Sequence, residues 1–401
     1  MSASPAQVRP EDELILHCAQ MQDGADSGEQ LRVLLGKDIE WPYLRKRALW
    51  QGMVPFLYHK IRDACSEEVP EAFLNQLEKQ YLMGARRNVL MTGELLVLIN
   101  LFEAHNIPAI PYKGPALAVM AYKDPMLREF DDLDILVRKQ DIPRAKELLV
   151  KQGYRPYCPL RGAQEKAYFG ASLQDSYLFT RENGLGPIDL HWAIEPECLS
   201  FVLKSEKLWQ RLEKVNLDGF SIQTICPEDM VLLVCIHGTR HRWERLIWLR
   251  DLAGLIELHP GIEWQIIMDR ANVMGAKRMV SLSLLLASSL LNTPLPTAVL
   301  PLIEKGDGIP SLMEKVHKNL FRETQGQSWP FESGLFYFRA MERFSDKARY
   351  CSGEFLTPTP LEWATLGLPS SLYPLYYAIR PVRLLGKYGL KLLKQIPHII
   401  V

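Results

Sequence analysis

Hydrophobic positions recur at three- and four-residue steps through the first hundred or so residues, a spacing that predicts helices. Leu14, Ile15 and Cys18, then Leu31, Leu34 and Leu35, mark short amphipathic pieces between about Glu11 and Arg62. Trp41 to Ile61 reads as two helices with a break near Gly52-Met53-Val54-Pro55, and Glu71 to Glu103 as one long helix. The period then changes. From about Ile107 to Trp192, short aliphatic runs alternate with helical stretches. Strands are expected at Asn106–Tyr112, Phe130–Val137 and Ser176–Thr180, the last turning at Asn183-Gly184 into Ile188–Trp192. Helices are expected at Ala116–Tyr122 and at Pro143–Gln152, the second closed by Gly153. From Leu199 onward the pattern reads as helical again, with helices at Pro227–His237, Trp243–Leu258 and Ala276–Leu291. The whole predicts an α+β chain: a helical region over 1–105, a core with a small mixed sheet over 106–225, and a mainly helical region over 226–401.

Polar residues interrupt the apolar pattern where chemistry is expected. The strand Phe130–Val137 carries Asp131, Asp132 and Asp134 near its start. Side chains alternate faces along a strand, so Asp132 and Asp134 project together while Leu133 and Ile135 point into a core. Two neighbouring carboxylates repel each other unless a positive charge sits between them. A hard divalent cation such as Mg²⁺ is the usual partner, although an aspartate run at a strand start also marks a turn. Asp131 falls on the other face and reads as a strand-end cap. Upstream, Asn106–Leu117 reads as strand, glycine turn and helix start. Gly114 lets backbone approach a ligand there, and the new helix offers free N–H groups to an anion. Downstream, Ile188–Trp192 carries a single inward acid, Asp189.

In that order these parts resemble the nucleotidyltransferase superfamily, whose fold is shared by DNA polymerase β, antibiotic nucleotidyltransferases and CCA-adding enzymes. More closely, Tyr112-Lys113-Gly114, Tyr122-Lys123-Asp124-Pro125 with Arg128, and Asp132–Val137 are similar to the bacterial uncharacterised nucleotidyltransferase family. The likeness continues through Ile188–Trp192, His237-Gly238 and Trp248–Leu252. It implies a nucleotidyltransferase-fold core between helical flanks. It also implies two Mg²⁺ ions bridged by Asp132 and Asp134, with Asp189 on the ion that activates an acceptor hydroxyl. Lys113 and Gly114 are expected to hold the triphosphate of an NTP, ATP first among them. Arg128 is expected either to clamp phosphate or to form an ion pair, and His237, Arg250 and Asp251 to contact nucleotide or acceptor. The implied reaction is nucleotidyl transfer to a hydroxyl or phosphate of a small-molecule or peptide acceptor, in a natural-product setting. Phosphoryl or glycosyl transfer on the same site, or an inactive homologue that binds a peptide partner, are the competing readings. Pro115 departs from the superfamily pattern, which has a second glycine or a serine after the first.

His191, His237 and His241 invite a zinc reading, but none has a third ligand at zinc spacing. Composition narrows the picture further. With 47% hydrophobic and 23% charged residues the chain is globular rather than disordered. A formal net charge of zero gives no bulk electrostatic case for nucleic acid. The 7 cysteines form no C-x-x-C pair, which argues against a zinc ribbon or a disulfide framework, and their odd count fits a reducing cytosol. No secretory signal is evident, and the apolar run Met279–Leu291 is shorter than the ~20 residues a bilayer span needs, so a soluble, cytoplasmic protein is expected. The basic, aliphatic tail Arg380–Lys394 is expected to pack on its own domain, with contact to a membrane surface or a partner as the alternative.

Overall fold

Where the N-terminal spacing is helical, the chain folds as α1 (Pro10–Ala19), α2 (Ser27–Leu35), α3 (Trp41–Gln51), α4 (Val54–Ala64) and the long α5 (Glu71–Ala104). The computed structural model describes residues 8–20, 27–160, 162–170, 174–182, 184–194, 205–303, 306, 308–322, 330–359, 362, 368–369 and 372–395. Gly52 makes the break between α3 and α4. Its φ of 70° is left-handed, a conformation glycine adopts without a Cβ penalty.

The alternating segment gives β1 (Ala109–Pro111), α6 (Gly114–Tyr122), β2 (Leu133–Val137), α7 (Ile142–Lys151), β3 (Arg155–Pro156), α8 (Ala163–Gly170), β4 (Ser176–Thr180) and β5 (Ile188–His191). The sheet runs β1-β2-β5-β4-β3. β2 and β5 are parallel and the other pairs antiparallel, so the sheet is mixed as expected. Leu133, Ile135, Ile188 and Leu190 share one face and pack with Met91, Leu95, Leu98 and Phe102 of α5 and with Ile142 and Leu149 of α7. That face is the core. On the opposite face Leu136 is buried too, against the helical core, and Asp134, Asp189 and His191 stand beside it. Of the expected turn at Asn183-Gly184, Asn183 lies outside the described residues.

The helical reading from Leu199, itself outside the described residues, needs correction over 212–225. After the short α9 (Ser205–Trp209) the chain forms a hairpin of β6 (Leu212–Leu217) and β7 (Phe220–Ile225). Asp218 and Gly219, at φ 54° and 84°, supply the two left-handed residues of a tight hairpin turn whose twist suits antiparallel strands. The hairpin docks beside β1, where the Thr224 hydroxyl donates to the Pro111 carbonyl at 2.7 Å.

Helices α10 (Pro227–Arg240), α11 (Leu246–Leu258), α12 (Trp264–Met274), α13 (Lys277–Leu291), α14 (Gly308–Leu320), α15 (Pro330–Ala340), α16 (Phe344–Leu356) and α17 (Leu375–Gln395) follow. α11 begins at Leu246 rather than Trp243. Arg242 and Trp243, at φ 57° and 53°, turn the chain first, and the Trp243 N–H donates to the Gly238 carbonyl at 2.7 Å. One hydrophobic core runs through α1–α4, α6 and α10–α14. Its tightest crossing is α6 on α11, where a Cβ at Gly254 would land on the Ala121 carbonyl oxygen. Gly254→Ala is therefore expected to cost about 1–3 kcal/mol, because backbone cannot yield as a side chain can. Denaturant unfolding checks this; a change within about 0.5 kcal/mol would refute so close a crossing.

The C-terminal helix packs on its own chain through its first turns. Arg380 is buried and places Nη1 3.4 Å from the buried Glu362 carboxylate, which also pairs with Arg383. No described helix is long and apolar enough to cross a membrane.

Candidate functional site

Strand register builds the site. Pairing Leu133 with Ile188 in parallel puts Asp134 beside Asp189 and Leu136 beside His191. With a side-chain period of two, Asp134, Asp189 and His191 then rise together from the face opposite the core. His191 Nε2 lies 3.0 Å from Asp134 Oδ1 and 3.2 Å from Asp189 Oδ2. Lys113, at the glycine turn before α6, brings Nζ to 3.4 Å from Asp134 Oδ1. Gly114 holds that turn with φ 51°, beside the Asp132 carbonyl and the Phe130 ring.

The electrostatics follow from these contacts. Burial alone would raise the Asp134 carboxyl, but the Lys113 ammonium and His191 hold it well below the usual carboxylate range. Asp189 is lowered as well, His191 outweighing its burial. Burial disfavours a charged His191, yet the two carboxylates raise its pKa to about 10. Asp132 sits half-buried just ahead of β2. Burial and the negative charge of Asp134 push it up to about 6, Lys113 opposing. A positive charge thus already stands where two carboxylates converge, and a third acid stands one step behind.

The other expected residues fall into three places. Asp131 is exposed and pairs with Arg87, away from the acid cluster. Arg128 is buried and donates from Nε to both carboxylate oxygens of Asp251, at 2.9 and 3.0 Å, while the Tyr122 hydroxyl donates to Asp251 Oδ1 at 2.8 Å. Burial works against the Arg128 charge, but Asp251 raises its pKa above the ordinary value. Arg250 lies over the Phe56 and Tyr122 rings at 4.8 and 5.2 Å. His237 lies tilted against His241 and edge-on to Trp248, centroids 4.6 and 5.4 Å away. Burial and the nearby Lys113 ammonium push its pKa well down, so it is neutral. Trp243 is fully buried, as a core tryptophan should be.

Residues 37–292 match the family described as uncharacterised nucleotidyltransferase. The chain belongs to that family. This nucleotidyltransferase is similar to the lincosamide antibiotic adenylyltransferase solved with lincomycin bound, with 18% identity and a TM-score of 0.31 over 41% of this chain and 96% of that one. It is also similar to an antigenic nucleotidyltransferase-like protein from Paracoccidioides brasiliensis, with 16% identity and a TM-score of 0.31 over 54% and 96%. No curated protein matches it.

The nucleotidyltransferase also fits a cation on its own chemistry. Asp134, Asp189 and His191 can each offer one ligand atom, and these atoms lie within 4.8 Å of one another. Asp189 Oδ1 is buried with no hydrogen-bond partner among the described residues, so an acceptor lone pair is left to use. Reading the sequence did not place His191 in this group, although Asp189 and His191 two apart on a strand was the available signal. Asp175, whose charge bears on both His191 and Asp189, was also missed, and no local motif marked it.

Proposed function

We propose that this nucleotidyltransferase moves a nucleotidyl group from an NTP, ATP being the expected donor, to a hydroxyl or phosphate of a small-molecule or peptide acceptor. Its working residues in this reading are Asp132, Asp134, Asp189, Lys113, Gly114 and Arg128. The observation that carries it is the register of β2 on β5, which sets Asp134 beside Asp189 with Lys113 at the glycine turn next to them. These acids would hold divalent cations, which in such sites neutralise the developing phosphate charge and make an acceptor hydroxyl a better nucleophile.

The chain's own groups divide the remaining work. Lys113 acts as a point charge on the triphosphate, standing in for the hydroxyl that Pro115 cannot supply. The N–H groups at the start of α6 add to that attraction. Asp134 is the deeper of the two paired acids, its side chain 5% exposed against 23% for Asp189. Asp189 is therefore the more accessible of the two to an acceptor. Arg128, aimed by Asp251, lends positive potential to Asp132 and to a bound phosphate. The family resemblance points to natural products or modified peptides as the acceptor class.

Incubation with each α-labelled and γ-labelled NTP in a cell extract, with and without chelator, tests the proposal. The expected result is a product that gains the α-label and the mass of one nucleotidyl group, and that disappears on chelation. Transfer of the γ-label alone would favour phosphoryl transfer, and no transferred label in any extract would favour a binding role.

A further inference from the structure

The acids explain only two of the three donors that meet on the sheet face turned away from α5 and α7. His191 is 6% exposed, and its Nε2 is nearly equidistant from carboxylates on two neighbouring strands, at 3.0 and 3.2 Å. Its backbone is fixed on both sides, since β5 pairs with β2 and with β4. Its ring is held edge-on to Tyr112, with centroids 5.3 Å apart. The imidazole therefore stands where an ion held by both carboxylates would sit, positioned to share it.

The spacing suits sharing. Adjacent ligands around an octahedral ion with bonds of about 2.1 Å lie about 3.0 Å apart. A tetrahedral zinc site with similar bonds sets its ligands about 3.3 Å apart. The observed separations, 3.0 and 3.2 Å, span the two. Asp189 Oδ1 is also buried and without a hydrogen-bond partner among the described residues, an acceptor left for the ion.

We infer that His191 is a direct ligand, through Nε2, of the cation held by Asp134 and Asp189, and that this nitrogen makes the position prefer Mn²⁺ to Mg²⁺. Mg²⁺ favours oxygen and gives up water reluctantly, whereas an imidazole is a better donor to the first-row divalent metals. Ligation needs a neutral imidazole, so the Nε2 proton passes to solvent as the ion arrives. The inference rests on the cation-binding reading of the site given above.

Mn²⁺ added to the full chain without nucleotide, read by pulsed electron paramagnetic resonance, tests it. A nitrogen coupling is expected in the wild type and should change on ¹⁵N-histidine labelling. His237→Gln and His241→Gln should keep the coupling. His191→Gln should lose it and bind Mn²⁺ more weakly by at least the about tenfold that losing even an outer partner of a ligand costs, with a smaller change for Mg²⁺. Mn²⁺ bound with oxygen ligands alone, or with unchanged affinity in His191→Gln, overturns the inference and leaves the acid-based function standing. Failure of both Mn²⁺ and Mg²⁺ to bind overturns both. Should His191→Gln not fold, the labelled wild type with the two other histidine variants still decides.

Discussion

Replacing Asp134 with asparagine is expected to lower kcat/KM for nucleotidyl transfer by about 10³-fold or more, the scale seen when a preorganised charge is removed from a reacting phosphate or oxyanion. The amide keeps the shape and an acceptor oxygen for His191 but removes the deepest negative charge of the site. Lys113 and His191 would then face a neutral group. Stability should fall by less than the about 3–5 kcal/mol typical of an orphaned buried charge, because His191 retains Asp189 and can shed its proton. Steady-state kinetics beside a thermal melt separates the two effects. Turnover within tenfold of wild type in a folded Asp134→Asn protein would remove Asp134 from the chemistry.

Asp251→Ala is expected to act through stability, at about 3–5 kcal/mol. The Asp251 carboxylate is 1% exposed and is the partner of both the Arg128 guanidinium and the Tyr122 hydroxyl, so its loss leaves a buried cation and a buried donor behind. The damage should also reach the site. Arg128 lies just ahead of Asp131 and Asp132, and its carbonyl is held by the Asn88 amide at 2.9 Å. NTP affinity should drop along with stability. Tyr122→Phe, which removes one hydrogen bond and no charge, should cost only about 1 kcal/mol. Denaturant unfolding of both variants with NTP titrations checks the pattern. An Asp251→Ala protein as stable as wild type but unable to bind NTP would make Asp251 a ligand contact instead of the buried anchor of Arg128.

Much of this arrangement was legible in the sequence because alternation is a local signal. Ser176–Thr180 formed the expected strand, and the Leu133/Ile135 set went to the core face as the period of two requires. The hairpin at 212–225 was misread because Leu-Glu-Lys-Val-Asn-Leu mixes charged and apolar residues without clean alternation. Its Asp218-Gly219 turn carried the information instead. His191 and Arg128 show a different limit. That Asp134 meets His191 depends on which strands pair and in what register, and Arg128 finds its partner 123 positions away. Nothing within a short window encodes either contact. The two left-handed residues Arg242 and Trp243, which shorten α11, are likewise set by the burial of Trp243 against Gly238 rather than by local preference.

Calorimetric titration of a non-hydrolysable NTP into the wild type and into Asp189→Asn, each with Mg²⁺ or Mn²⁺ and again with chelator, shows whether the acids hold nucleotide through a cation. Binding should require the cation and weaken at least about tenfold in Asp189→Asn, since losing even an outer partner of a ligand costs that much. Nucleotide binding of equal strength in both proteins, with either cation and with chelator, would contradict it.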